Sequence, residues 1–224
     1  MKSFESKYRW KVQVALLGVL CAAALAQPPG GRGPGRGPGR GPAGPPPTGR
    51  AGAPIDLTGY WVSIVTEDWH YRMVTPPKGD YQGLPMNAES KRIADAWDPA
   101  KDEAAGEQCK AYGAAGIMRN PGRLHITWQD DNTLKMDLDA GTQTRVFHFG
   151  NWQAPGGEAT WQGDSVATWE RPGGRGGPAP AAAAPTGSGS LRVVTTHMKS
   201  GYIRKNGVPY SVNAVLTEIG RAHV

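Results

Sequence analysis

Between Arg123 and Gly150 the chain alternates apolar and polar residues with a period of two, broken twice by turn-formers. Leu124, Ile126 and Trp128 alternate with Arg123, His125 and Thr127. After Gln129-Asp130-Asp131-Asn132, Leu134, Met136 and Leu138 alternate with Lys135 and Asp137, and Thr142 to Phe149 alternates again after Asp139-Ala140-Gly141. That rhythm predicts an antiparallel β-meander with one buried face. Further strands are predicted at Asp56–Thr66 and Trp69–Thr75, both rich in β-branched and aromatic residues. A hairpin is expected over Glu158–Gly163 and Ser165–Glu170, and more strands at Leu191–Met198 and Tyr210–Glu218. Asn87 reads as an N-cap for a helix to about Trp97, stopped by Asp98-Pro99. Lys101–Tyr112 reads as a second short helix, and Ile117–Arg119 as a strand fragment before the turn Asn120-Pro121-Gly122. The fold expected is mainly β, a barrel-like or strongly curved antiparallel sheet with a helical insertion at 87–112.

The flanks have a different texture. Lys2, Lys7, Arg9 and Lys11 precede an apolar run from Val12 to Ala24, and Ala24-Leu25-Ala26 gives a small-x-small cleavage site. Residues 1–26 therefore read as a secretory signal, with a run too short for a comfortable membrane span. A lipoprotein signal at Cys21 fits poorly, because Leu20 precedes it. The expected location is periplasmic or secreted. Gln27–Pro54 is a Gly/Pro/Arg tract with almost no large apolar residues, and it is expected to stay disordered. Arg171–Gly189 is a second low-complexity stretch, read as a long loop within a β-domain covering 55–218. Ile219–Val224 matches the translation of a widely used sequencing-library adapter, ATCGGAAGAGCACACGTC. Genuine sequence is thus expected to run to Glu218, with C-terminal strands missing.

Charge and cysteine narrow the function. The 224-residue chain carries a net charge of +6, but residues 1–50 hold eight Lys/Arg and one acid, a charge of +7, which leaves −1 for the rest. The folded part is almost neutral, so no basic groove for nucleic acid is indicated. The basic tract is a solvated spacer or a weak contact to an anionic envelope surface. With Cys21 removed, Cys109 stands alone: a buried thiol, or one whose partner lies in a missing C-terminal piece.

The candidate chemistry is sparse. Asp68 and His70 would point the same way from an extended segment, as an acid/base pair or two metal ligands; no third ligand is placed by spacing. Arg145 shares its parity with Phe147 and Phe149. If they face inward, Arg145 needs a partner or an anionic ligand; if Val146 and His148 do, it is solvated. A site for a small hydrophobic or aromatic ligand would combine Trp61, Trp69 or Trp128 with Arg119 or Arg145 as polar anchor. Gly163-Asp164 reads first as a tight turn. No Ser-His-Asp pattern, HExxH, P-loop or dinucleotide fingerprint occurs, and no cofactor is implied.

Two resemblances add to this. Gly59-Tyr60-Trp61 at the start of the first strand resembles the Gly-x-Trp signature of lipocalins and related calycin barrels, where the Trp plugs one barrel end beneath a late-strand Arg; that Arg is not found here. More broadly, several motifs resemble a family of secreted bacterial proteins of uncharacterised activity. They are Cys109…Gly113…Arg119-x-Pro121, Ile126-x-Trp128, Thr144-Arg145, Trp161-Gln162-Gly163-Asp164-Ser165-x-Ala167 and Asn206-Gly207-x-Pro209-Tyr210. Gln162 stands where members often carry Glu. The resemblance implies an exported β-rich domain and brings no activity. The function expected is non-enzymatic binding of a small ligand in the sheet's concavity. The alternatives are a hydrolase or isomerase using Asp68/His70, or an envelope-interaction module.

Overall fold

The computed structural model describes residues 45–171 and 189–221. The signal-like start, most of the Gly/Pro/Arg tract, nearly all of the 171–189 stretch and the last three residues lie outside them.

The meander forms as its alternation predicts. Strand β1 (Gly59–Val62) pairs with β2 (Arg123–Asp130), β2 with β3 (Thr133–Leu138), and β3 with β4 (Gln143–His148), all antiparallel. The register sets Ile126 opposite Met136 and Leu134 opposite Phe147, so one face is mainly apolar, with Arg145 opposite Met136 as its charged exception. Asn132 makes the tight reversal between β2 and β3, its N–H donating to Asp130 Oδ1 at 2.7 Å.

The meander then ends. β5 (Asp164–Glu170) lies parallel to β4, with Phe147 opposite Ser165. A parallel neighbour requires a crossover, and residues 149–163 supply it. The hairpin expected over Glu158–Glu170 is therefore replaced by an irregular span that touches a strand partner only where Thr160 bridges Met198. β6 (Ser190–Thr196) returns antiparallel to β5, and β9 (Leu216–Arg221) pairs antiparallel with β6. The result is a seven-stranded curled half-barrel in the order β1-β2-β3-β4-β5-β6-β9, with β1 and β9 as its edges. Between β6 and β9, β7 (Gly201–Arg204) and β8 (Val208–Tyr210) form a separate small hairpin. Ile219, Gly220 and Arg221 continue β9, opposite Arg192, Leu191 and Ser190.

The core lies on the concave face. Ile126, Leu134, Met136, Leu138, Phe147, Phe149, Ala167, Leu191 and Val193 pack together there, with Trp128 and Trp169 against them. Residues 45–57 close part of this face. Gly49 donates to Asn132 Oδ1 at 2.7 Å and accepts from Trp169 Nε1 at 2.7 Å, while Arg50 N–H reaches Asp131 O. The end of the Gly/Pro/Arg tract is thus hydrogen-bonded into the domain from at least Gly49, earlier than its composition suggests.

Short helices connect β1 to β2. They are α1 (Trp69–Met73), α2 (Ala88–Asp95), α3 (Pro99–Ala104) and α4 (Ala114–Ile117). Asn87 caps α2 as expected, its Oδ1 accepting from Ser90 N at 2.7 Å. The long second helix predicted from Lys101 is split: Gly106 turns the chain at φ 71° before a 3-10 turn at Gln108–Tyr112. Ile117 is helical rather than extended, and it sends its side chain into the main core.

The largest correction is at 69–75. The segment is not a strand: Asp68 adopts a left-handed conformation (φ 50°), and the chain turns into α1. Tertiary contacts override the strand propensity. Arg72 Nε donates to Arg119 O at 3.0 Å, and Tyr71 lies under the guanidinium of Arg204, 4.3 Å from ring centre to Cζ.

Candidate functional site

Among the described residues a polar seam, rather than a cluster of Trp and Arg, crosses the concave face. Phe147 and Phe149 face inward, and Arg145 with them, only 1% exposed. Its guanidinium grips the carboxylate of Glu218 end-on, Nη1 to Oε1 at 2.8 Å and Nη2 to Oε2 at 2.6 Å. Glu218 lies on β9, three strand steps from β4. A flat sheet would place those strands about 14 Å apart, so the pair is a chord that the curl of the sheet brings within reach. Beneath the chord, Ser165 on β5 and Thr195 on β6 share a hydrogen bond of 2.8 Å, and Thr195 Oγ1 lies 3.4 Å from Arg145 Nη2. Both terminal nitrogens of Arg145 are therefore engaged by its own chain, while its buried Nε has no partner among the described residues; a guanidinium already paired with Glu218 is a poor ligand anchor.

The tryptophans do not converge either. Trp128 is half-buried against Phe149, ring centres 5.4 Å apart, as part of the core wall. Trp61 stands 43% exposed on edge strand β1 and donates its indole N–H to Leu57 O. Trp69 is exposed on α1.

Asp68 and His70 do not form a pair. In a helix two successive steps rotate the side chain by about 200°, so the turn at Asp68 sends them apart. Asp68 Oδ2 instead accepts from Arg119 Nη2 at 3.0 Å. His70 is exposed, its ring edge-on to those of Trp69 and Tyr71. Another Asp–His contact does exist: Asp164 Oδ2 and His197 Nδ1 are 2.8 Å apart at the end of β5. Ser165 follows Asp164 but points to the opposite face, towards Thr195, so strand parity keeps its hydroxyl away from that His. Among the described residues no three His, Cys, Asp or Glu side chains are grouped to hold a metal ion.

What the structure does assemble is a cleft between α1 and β7. Tyr71 to Thr75 form one wall, Ile203 to Lys205 the other, and Gly116, Arg119 and Asn120 the floor. Its volume is about 40 Å³. At roughly 10–15 Å³ per water-sized occupant, that holds about three waters or one small head group, not a whole aromatic ligand. Arg72, Arg119, Arg204 and Lys205 line it, and Asp68 is the carboxylate paired with one of them. No family model, curated protein or solved structure matches this chain. The cleft is therefore interpreted on its own geometry.

Arg204 is its unusual member. It is 7% exposed, and its Nε and Nη1 are shut off from solvent with no hydrogen-bond acceptor among the described residues. Buried donors almost always have partners, and Arg cannot lose its proton to escape the cost. Arg119 was visible in the sequence as a polar anchor. Arg204, Arg72 and Lys205 were not, since Gly201 to Pro209 reads as turn-rich text and Trp69 to Thr75 as a strand. The available signal was the bulky pair Tyr202 and Ile203 running into Arg204, which marks a short strand.

The β7–β8 hairpin that carries Arg204 is fixed by tyrosines. Tyr202 donates to Asp102 Oδ2 at 2.9 Å, and Asp102 also receives Lys110 Nζ at 3.0 Å. Burial, then the bond to Asp102, pushes the Tyr202 hydroxyl up to about 12, and burial alone pushes Tyr210 up to about 12. Unfolded tyrosine titrates near 10. Folded-state values above the unfolded one mean that stability is whole below about pH 10 and is lost as pH rises towards about 12. Urea denaturation at steps from pH 8 to 12 should show that loss. Tyr210→Phe should flatten it while leaving stability at pH 8 unchanged or higher, because the Tyr210 hydroxyl has no hydrogen-bond partner among the described residues. An unchanged pH profile in Tyr210→Phe would remove Tyr210 from this account.

Proposed function

We propose that this chain is an exported, non-enzymatic domain that binds a small ligand in the cleft between α1 and β7. The observation that carries the reading is the cleft's cationic lining: Arg72, Arg119, Arg204 and Lys205 with Asp68 as counter-charge. Few polar groups converging in a concavity is how specific small-ligand sites are built. The cleft's size admits a polar head, while Met73 and Val74, both exposed on its wall, offer an apolar surface to the rest of the ligand. This keeps the expected small hydrophobic or aromatic ligand but moves it from the sheet's concavity, which the Arg145–Glu218 seam fills, to the opening beside α1. Export is supported by the basic start, apolar run and small-x-small site of residues 1–26.

A thermal-shift screen of the full chain without residues 1–26 tests this, with metals, sugars, fatty acids, aromatic acids and oxyanions as the library. A ligand that binds only the folded state, present at 100 times its Kd, stabilises by about 2.7 kcal/mol. The expected result is a rise in melting temperature with at least one compound that is lost in Arg119→Ala. A rise that survives Arg119→Ala unchanged would place binding elsewhere, and no rise with any compound would defeat the reading.

A further inference from the structure

Resting on that reading of the cleft, we infer that its ligand is recognised through a phosphate group, with Arg204 as the principal contact. Three observations point there. The first is charge: four cationic side chains line the cleft and one carboxylate answers them, which suits a dianion better than a monoanion. The second is Arg204 itself, buried and fully charged, with two nitrogens that find no acceptor among the described residues. Its guanidinium is already held in place by stacking on Tyr71, so little freedom is lost when an oxyanion docks. Tyr71 is in turn fixed by its hydroxyl bond to Gln82 Oε1 at 2.9 Å. The third is size: about 40 Å³ fits a phosphate group and leaves any substituent outside.

Asp68 has a defined part in this. Its carboxylate sits on Arg119 Nη2 at 3.0 Å, half-exposed and at the end of a strained left-handed residue. It occupies the donor that a phosphate oxygen would use, so it competes with the ligand. Charge-assisted bonds of Arg to phosphate are strong and directional, and a phosphate that engages Arg204 draws Arg119 away from Asp68.

The test is calorimetric titration and thermal shift of the full chain without residues 1–26, using inorganic phosphate, glycerol phosphate, dihexanoyl phosphatidic acid and acetate at matched ionic strength. Phosphate should bind and raise the melting temperature. Arg204→Met should weaken phosphate about tenfold or more, yet melt no lower than the parent without phosphate, because it removes a buried charge that lacks acceptors. Asp68→Asn should bind phosphate more tightly than the parent. Tighter binding of phosphatidic acid than of glycerol phosphate would identify a lipid head group as the source, and equal binding a soluble phosphate ester; both support the inference. Equal phosphate shifts in the parent and in Arg204→Met would overturn it, as would acetate binding better than phosphate. If phosphate fails while a neutral compound from the screen binds in an Arg119-dependent way, the cleft reading stands and this inference falls. If nothing binds, both fall.

Discussion

Glu218→Ala is expected to destabilise the domain by about 3–5 kcal/mol, the usual cost of stripping one partner from a buried ion pair. The variant would leave Arg145, 1% exposed, with Thr195 Oγ1 at 3.4 Å and the face of Phe147 as its nearest compensation. Arg145 cannot neutralise itself, so the charge stays in the core uncompensated. Arg145→Met should cost less, because Glu218 is partly exposed and can turn to water. The double replacement Arg145→Met with Glu218→Leu should recover most of the loss, since apolar side chains of similar volume often replace buried pairs without penalty. Urea denaturation of the four proteins closes the double-mutant cycle. Additive losses would mean that the chord from β4 to β9 is not coupled, and the seam would lose its role in holding the curl.

Ile117→Ala is expected to cost about 2–5 kcal/mol, the range for truncating a fully buried aliphatic side chain. Ile117 is 0% exposed and is the residue of the helical stretch that enters the core beside Ile126 and Phe147. Its helix is otherwise tied down by Ala114 N–H to Trp161 O at 2.9 Å. Gly116 lies so close to Tyr202 O that an added Cβ would sit 2.6 Å from it. The loss should therefore spread to the cleft, whose floor is Gly116, Arg119 and Asn120. Amide exchange over 114–120 should quicken as the melting temperature falls. A loss well under 1 kcal/mol would show that α4 can leave the sheet without disturbing it.

The sheet was legible where one face is buried and the other wet. Leu124, Ile126, Trp128, Leu134, Met136 and Leu138 state their register in the alternation itself. Asn87 states the start of α2 through its side-chain oxygen. Segments whose conformation depends on distant partners were not legible. Trp69–Met73 has strand-like residues, yet it is a helix because Arg119 and Arg204, far along the chain, hold Arg72 and Tyr71. The parity of Arg145 was ambiguous until Glu218 fixed it. The site followed the same rule. Arg119 and Asp68 were both visible as polar residues, but their contact, and the approach of Arg204, required α1 and β7 to meet. The parallel pairing of β4 and β5 had no local signal, because a crossover without a helix leaves no periodicity to read.

The Arg145–Glu218 chord also governs when the domain can exist. Its partners are 73 positions apart, and Trp169 reaches back 120 positions to Gly49. Loop closure over such separations must precede the contacts that repay it, which makes folding slow. A chain emerging from its N-terminus first holds half of the seam, with Arg145 awaiting a carboxylate made 73 positions later. The sheet cannot complete its curl before Glu218 has been made. The topology thus keeps the nascent sheet open, with β6 as its bare edge, until β9 appears.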